Sequence, residues 1–339
     1  MSSSEPFGAG MKRREFITLL GGAAAAWPLA AHAQQPDRML RVGVLMGYTA
    51  DDPETKVRLA AFRQGLEKRG WSEGRNVQIE TRFVAARADK YESLAKELVA
   101  TQPDVILGHT TQVTAALQRE SRAIPIVFVN VSDPIGSGLV ASLARPGGNF
   151  TGVLQYEASV VGKWLAMLKE VAPRLESVAL IANPKTSPYD YFLRAAEAVA
   201  PSLAITMVPS PVATAADIEQ AINSFAGAPN GGLLLPADAT VVINRDLIIA
   251  LAARYKLPAV YAFHFMVAAG GLMSYGIDQA DTFRLAASYV DRILRGDKPA
   301  DLPVQAPTKF ETTVNLRTAK ALDIPIPPGL LVAADEVIE

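Results

Sequence analysis

Short apolar runs alternate with longer amphipathic segments along the chain from residue 40 onward. The first runs are nearly continuous in Val, Ile and Leu, which is typical of parallel strands covered by helices on both faces. They predict strands at 40–46, 77–83, 104–107 and 125–129, separated by helices at 54–69, 89–101 and 112–121. This βαβα order predicts a doubly wound α/β sheet.

A second set of the same kind follows a turn-rich passage, RPGGNFTG, at 145–152. It predicts strands at 177–181, 204–208, 232–235 and 259–262, and helices at 160–171, 189–199, 215–225 and 239–255. The extended segment at 272–275 follows the second crossing, and a last strand around 310–314 and a short helix at 317–322 finish the chain. Crossings between the two sets are expected at 145–152, 270–271 and 297–303. The predicted fold is therefore α/β, with two doubly wound parallel-sheet lobes joined by a three-strand hinge.

These crossings define the expected domains. Lobe 1 would comprise 38–152 plus 271–300, and lobe 2 would comprise 153–270 plus 301–339. Ligands of open α/β sheets lie beyond the carboxyl ends of the strands. Two facing lobes place those ends on one crevice, and its closure would bury a small molecule from both sides.

The N-terminal segment of the chain predicts export from the cytoplasm. Adjacent Arg13 and Arg14, an apolar run over 16–31 and the exit Ala31-His32-Ala33 indicate a twin-arginine-type signal peptide over 1–33, cleaved after Ala33 to leave the protein in the periplasm. Met11 is the natural start, so 1–10 form an over-long leader. The alternative is an uncleaved membrane anchor, although the apolar run is shorter than the roughly 20 residues that a spanning helix needs.

Composition narrows the function further. Roughly 300 residues follow the signal, enough for two domains. The net charge of −1 argues against a nucleic-acid partner, and the absence of cysteine excludes disulfides and thiol chemistry. His109 and His264 fall on different lobes without the spacing of a metal site. Neither a nucleophile elbow nor a phosphate loop is present, so we expect no enzyme and no cofactor.

Several passages carry a family resemblance: PIVFVNVSDPIGSGLV at 125–140, PGGNFTG at 146–152, LPADAT at 235–240, GGLMSYG at 270–276 and NLRTAKAL at 315–322. In this order they resemble the ABC-transporter substrate-binding proteins whose better-known members bind tryptophan or similar amino acids. The resemblance implies a type I periplasmic-binding-protein fold. It also implies a monomer that delivers a small organic solute, an amino acid or an aromatic or hydrophobic carboxylate, to an ABC permease in the inner membrane. His109, in the loop GHTT, departs from the family pattern.

Candidate ligand-binding residues follow the strands of lobe 1. Gly47 allows close backbone approach, and Tyr48 offers a flat wall. Thr110 and Thr111 stand at a predicted helix start, where hydroxyl and free N–H groups suit a carboxylate; either threonine could instead simply cap the helix.

Ser132 and Asp133 follow the fourth strand. Asp133 could bind an amine, or it could open a turn with the proline that follows. Tyr156, just beyond the first crossing, is a further candidate wall of the cleft.

Lobe 2 contributes Asn183 and Ser187 after one strand and Asp238 and Thr240 after another. Asp238 could hold a ligand ammonium through a charge-assisted hydrogen bond, or it could be an N-cap.

Aromatic residues cluster after the next strand of lobe 2, where Tyr261 is followed by Phe263 and His264, and Tyr275 lies at the second crossing. Such rings on opposite lips could sandwich a planar ligand, although Tyr275 could equally be hinge packing.

Two other functions stay open at this point. A ligand-sensing receptor of the same fold would report to a signalling protein instead of a permease, and sequence alone does not separate it from a transport protein. An exported α/β enzyme would need a clustered acid–base set, which the sequence does not contain.

Overall fold

The computed structural model describes residues 38–227 and 229–339. The predicted signal peptide, 1–33, lies outside the described residues. Within the described part of the chain, no helix combines the length and apolar character needed to cross a membrane.

The first sheet has five parallel strands in the order β2-β1-β3-β4-β5. They are β1 (Leu40–Met46), β2 (Val77–Phe83), β3 (Val105–His109), β4 (Ile126–Val131) and β5 (Phe150–Leu154). The first three strands each lead into a helix: α1 (Pro53–Glu67), α2 (Tyr91–Ala100) and α3 (Thr111–Glu120). Strands β3, β4 and β5 are buried throughout, as expected for a sheet covered on both faces.

The second sheet has seven strands in the order β12-β11-β10-β9-β8-β6-β7. They are β6 (Ser177–Ala182), β7 (Thr206–Pro211), β8 (Gly231–Leu235), β9 (Ala259–Tyr261), β10 (Met273–Gly276), β11 (Glu311–Asn315) and β12 (Glu336–Ile338). All neighbouring pairs are parallel except β10 with β11. Two α/β sheets with mostly parallel strands confirm the predicted fold class.

Nine α-helices follow β5 in the described part of the chain. They are α4 (Ser159–Val171), α5 (Tyr189–Val199), α6 (Ala215–Phe225), α7 (Ala239–Ile243), α8 (Arg245–Arg254), α9 (His264–Ala268), α10 (Gln279–Leu294), α11 (Leu316–Ala321) and α12 (Pro328–Ala333). Helix α10 returns to the first sheet and packs on α1. An added Cβ on Gly65 of α1 would lie 2.7 Å from the Cβ of Ala287 on α10, so these two helices pack closely.

The chain crosses between the sheets at 155–158, 277–278 and 306–310, each a few residues later than the sequence indicated. The first crossing is later because residues 150–154 form β5. The second is later because 273–276 hydrogen-bond to β9 and β11 of the second sheet, so 271–276 do not belong to lobe 1. The third is later because Gln305 still pairs with Val153.

Candidate ligand-binding cleft

Helices α1, α2 and α3 begin at the carboxyl edge of the first sheet, because each follows a parallel strand that ends there. Asp52 caps α1, and its Oδ1 accepts hydrogen bonds from the backbone N–H groups of Glu54 at 3.0 Å and Thr55 at 3.1 Å. This cap fixes the start of the helix that carries Arg58. The same edge therefore presents side chains from the first turns of three helices.

The guanidinium group of Arg58 lies between the two lobes. The residue is fully buried, and its Cζ is 5.0 Å from the ring centroid of Tyr48 in lobe 1. On the other side it lies 5.8 Å from the ring of Phe263 and 5.7 Å from that of Phe265, both in lobe 2. Aromatic faces stabilise a cation at such distances. The two lobes thus share one aromatic cage around a positive charge.

Asp238 is the buried acid on the lobe 2 side. Its Oδ1 accepts a hydrogen bond from the backbone N–H of Val241 at 2.8 Å, which is the N-cap of α7, and its Oδ2 accepts one from the hydroxyl of Thr186. Burial raises the pKa of Asp238 to about 6, against the opposing effect of these hydrogen bonds.

The pKa of the Tyr48 phenol depends on charges in both lobes. Burial raises the pKa of Tyr48 to about 12, the charge of Arg58 opposes this shift, and the charge of Asp238 adds to it. Arg58 of lobe 1 and Asp238 of lobe 2 therefore both influence the pKa of Tyr48.

Polar side chains of lobe 2 hold one another around Asp238. The Asn183 Nδ2 donates to the Thr240 hydroxyl at 2.9 Å, and that hydroxyl lies 3.0 Å from the Thr186 hydroxyl. The Ser187 hydroxyl donates to the Asn183 carbonyl at 3.3 Å. Three predicted residues, Asn183, Ser187 and Thr240, thus belong to one hydrogen-bonded network that reaches Asp238 through Thr186.

An ion pair joins the lobes directly. The Arg245 Nη1 of α8 lies 2.9 Å from the Asp52 Oδ2 at the start of α1, and the Arg245 Cζ is 5.9 Å from the Phe265 ring. The side chains of Asp52 and Arg245 are 7% and 23% exposed. Tyr48 also packs into the apolar cluster of lobe 2. The structure therefore holds the lobes in contact.

The threonines at the start of α3 differ in their roles. Thr110 has a φ of 81°, and its buried hydroxyl has no hydrogen-bond partner among the described residues. Thr111 is engaged, because its hydroxyl accepts from the Ser132 N–H at 3.1 Å and donates to the Ser132 carbonyl at 3.3 Å. An added Cβ on Gly47 would lie 3.0 Å from the Thr110 methyl, so the space at Gly47 is filled by Thr110.

His109 supports the floor of this site. Its Nδ1 accepts a hydrogen bond from the Gly47 N–H at 3.3 Å, and its ring meets the edge of Tyr48 at 4.9 Å. Burial, and then the charge of Arg58, hold the pKa of His109 well below its ordinary value. The imidazole is consequently neutral, and it orients Tyr48.

Several other predicted residues pack elsewhere. The Tyr156 hydroxyl donates to the Ala262 carbonyl at 2.7 Å at the first crossing. Tyr261 lies in β9 against Gly271, whose added Cβ would be 2.6 Å from its ring. Tyr275 stacks on Phe310 with a centroid distance of 5.2 Å, as hinge packing would require.

Asp133 opens a turn at the outer rim of the cleft. Its Oδ1 accepts from the Gly136 N–H at 2.8 Å. It borders a cavity of about 310 Å³, which Thr111 and Ser187 also line.

Four residues at the lobe interface were not predicted from the sequence: Arg58, Asp52, Arg245 and Phe265. A signal for Arg58 exists, because it lies on the buried face of α1 with Thr55, Leu59, Phe62 and Leu66. An arginine within such a stripe requires a partner. No cluster of three or more candidate metal ligands occurs within residues 38–227 and 229–339.

A two-lobe α/β fold with polar and aromatic side chains from both lobes on one cleft is the architecture expected of a solute-binding protein. The model of the ABC transporter substrate binding protein family matches residues 49–338. The chain therefore belongs to this family, which confirms the predicted resemblance. The family consists of solute-binding proteins, so the expectation that the chain is not an enzyme is also confirmed.

Relatives of known name are similar along most of the chain. A tyrosine-binding protein from Clostridioides difficile (strain R20291) is 27% identical over 263 residues, covering 78% of this chain and 75% of the relative. A conserved domain protein from Vibrio cholerae has a TM-score of 0.83 at 26% identity, covering 88% of this chain and all of that one. An ABC domain from Streptococcus pneumonia in complex with L-Trp has a TM-score of 0.82 at 24% identity, covering 89% and 100%.

Proposed function

We propose that this protein is the periplasmic substrate-binding component of an ABC import system. It captures an amino acid or an aromatic or hydrophobic carboxylate in the cleft between its lobes, and it delivers this solute as a monomer to a permease in the inner membrane. The signal peptide over 1–33 directs its export and is removed near Ala33.

The observation that carries this proposal is the pair of buried charges at the lobe interface. Arg58 of lobe 1 and Asp238 of lobe 2 are both buried, and neither forms an ion pair with a described residue. Burial of charged groups without a countercharge is costly. A polar solute between the lobes would offset that cost.

The aromatic rings around Arg58 support the proposal that the solute has an aromatic or hydrophobic body. Tyr48, Phe263 and Phe265 present three rings to the same space, and such rings suit a planar or apolar body. The names of two relatives, a tyrosine-binding protein and a domain in complex with L-Trp, agree with a small amino acid or a related acid as the solute.

Binding is tested by isothermal titration and thermal shift of the purified protein against the common amino acids and a set of aromatic acids. We expect saturable binding of one solute per chain and a rise in the melting temperature. Import is tested by uptake of the identified solute in cells with and without the gene. Turnover of a solute without saturable binding would contradict the proposal, and binding without any uptake defect would favour a sensing receptor.

A further inference from the structure

Among the polar groups of the cleft, the guanidinium group of Arg58 has the greatest need for hydrogen-bond acceptors. The residue is fully buried, and its Nε, Nη1 and Nη2 atoms have no hydrogen-bond partner among the described residues. The three rings around it interact with its charge, but ring faces do not replace acceptors for its five N–H donors. These donors therefore require an acceptor from outside the chain.

The acids that border the cleft do not supply this acceptor. Asp52 is engaged by Arg245 and by the cap of α1. Asp238 accepts hydrogen bonds from the Thr186 hydroxyl and from backbone N–H groups, including that of Val241.

Neighbouring hydroxyls point to the same kind of ligand atom. Thr55 lies one turn before Arg58 on the same face of α1, and its buried hydroxyl has no partner among the described residues. The hydroxyls of Thr110 at the start of α3 and Tyr91 at the start of α2 are also buried and unpartnered. Lobe 1 thus offers a cation and several hydroxyl donors at the carboxyl edge of its sheet.

We infer that Arg58 is the anchor for the carboxylate of the ligand, and that the carboxylate rather than the ammonium group is the required recognition element. A planar guanidinium binds a carboxylate through two parallel hydrogen bonds. The inference deepens the proposed function, on which it rests, by naming the essential group of the solute. Because the carboxylate of Asp238 is already hydrogen-bonded within lobe 2, the cleft accepts aromatic acids that lack an ammonium group.

The test compares three probes of one aromatic body: L-tyrosine, its deaminated analogue 3-(4-hydroxyphenyl)propionate and its decarboxylated analogue tyramine. Isothermal titration of the purified protein should give the two carboxylates dissociation constants within about tenfold of each other. Tyramine should bind at least about 100-fold more weakly, because it cannot accept the Arg58 hydrogen bonds.

Variants of Arg58 test the residue itself. Arg58→Met should weaken both carboxylates by about 100-fold or more, and Arg58→Lys, which keeps the charge but loses the planar fork, by about tenfold. Arg63→Met is the matched control, because Arg63 lies on the same helix, is partly exposed and pairs with Glu73; it should bind both acids as the wild type does. The melting temperature without ligand checks folding, and Arg58→Lys carries the test if Arg58→Met does not fold.

Two results would overturn the inference while leaving the proposed function in place: tyramine binding as tightly as L-tyrosine, or undiminished carboxylate binding by a folded Arg58 variant. Binding of none of the three probes would overturn the inference together with the proposed aromatic ligand class.

Discussion

The ion pair between Asp52 and Arg245 should control how tightly the cleft stays closed. The pair joins the first turn of α1 to α8 of the other lobe at 2.9 Å, so it exists only while the lobes are in contact. Arg245→Met removes it from the lobe 2 side without touching the α1 cap, which Asp52 forms with backbone N–H groups.

The size of the effect follows from burial. A hydrogen bond between charged groups contributes about 1.5–3 kcal/mol. The Arg245 side chain is 23% exposed, so solvent reduces this value, and we expect a contribution of about 1–2 kcal/mol. That corresponds to a ligand affinity about 5- to 30-fold weaker in Arg245→Met. Because the pair forms on closure, most of the change should be a faster dissociation rate.

Titration calorimetry and stopped-flow dissociation of the tightest probe would measure this effect. Arg254→Met is the matched control, since Arg254 lies at the end of the same helix and its Cζ lies 5.3 Å from the ring of Tyr255 in the same lobe. Asp52→Asn keeps the cap and removes the charge, which completes a double-mutant cycle. Additive losses in the cycle, or an unchanged dissociation rate in Arg245→Met, would refute the reasoning.

Three further outcomes are expected. Gly65→Val should lower the free energy of unfolding by about 1–3 kcal/mol, because its Cβ would meet Ala287 at 2.7 Å, whereas Gly148→Ala, with open space around it, should leave denaturant unfolding unchanged. Burial raises the Asp238 pKa from 3.8 to about 6, so the folded chain binds the extra proton and stability falls as pH rises from about 4 to 6, by about 3 kcal/mol in total. Asp238→Asn should flatten this part of the stability–pH profile, and an unchanged profile would contradict the assignment. Replacing Arg13 and Arg14 by lysine should keep the protein out of the periplasmic fraction, and normal export would exclude a twin-arginine route.

Strand and helix positions could be predicted well because the chain has a strong local pattern. The apolar run at 40–46 coincides with β1, and the predicted helix at 215–225 coincides with α6, which carries a capping box between Thr214 and Asp217. The crossings could not be placed as well. Residues such as 273–276 form a strand by pairing with β9 and β11, and that pairing depends on partners distant in sequence.

The residues of the candidate site could also be predicted only in part from the sequence. Positions after strands pointed to Tyr48 and Asp238, because every loop at the carboxyl edge of a parallel sheet is a candidate. Arg58 stands five residues inside a helix, where a charged side chain ordinarily faces solvent. Part of its surroundings comes from lobe 2, because Phe263 and Phe265 lie close to its guanidinium group from more than 200 residues away.

Arg245 and Arg58, both at the lobe interface, have opposite effects on the closure of the lobes, which the proposed function requires. Arg245 favours contact between the lobes through Asp52, whereas closure buries Arg58 with no acceptor from the chain. Separated lobes would let water hydrate the Arg58 guanidinium, so without ligand its burial counts against the closed state. A carboxylate in the cleft removes that penalty only in the closed state. It therefore has the differential affinity needed to shift the population of lobes from open to closed.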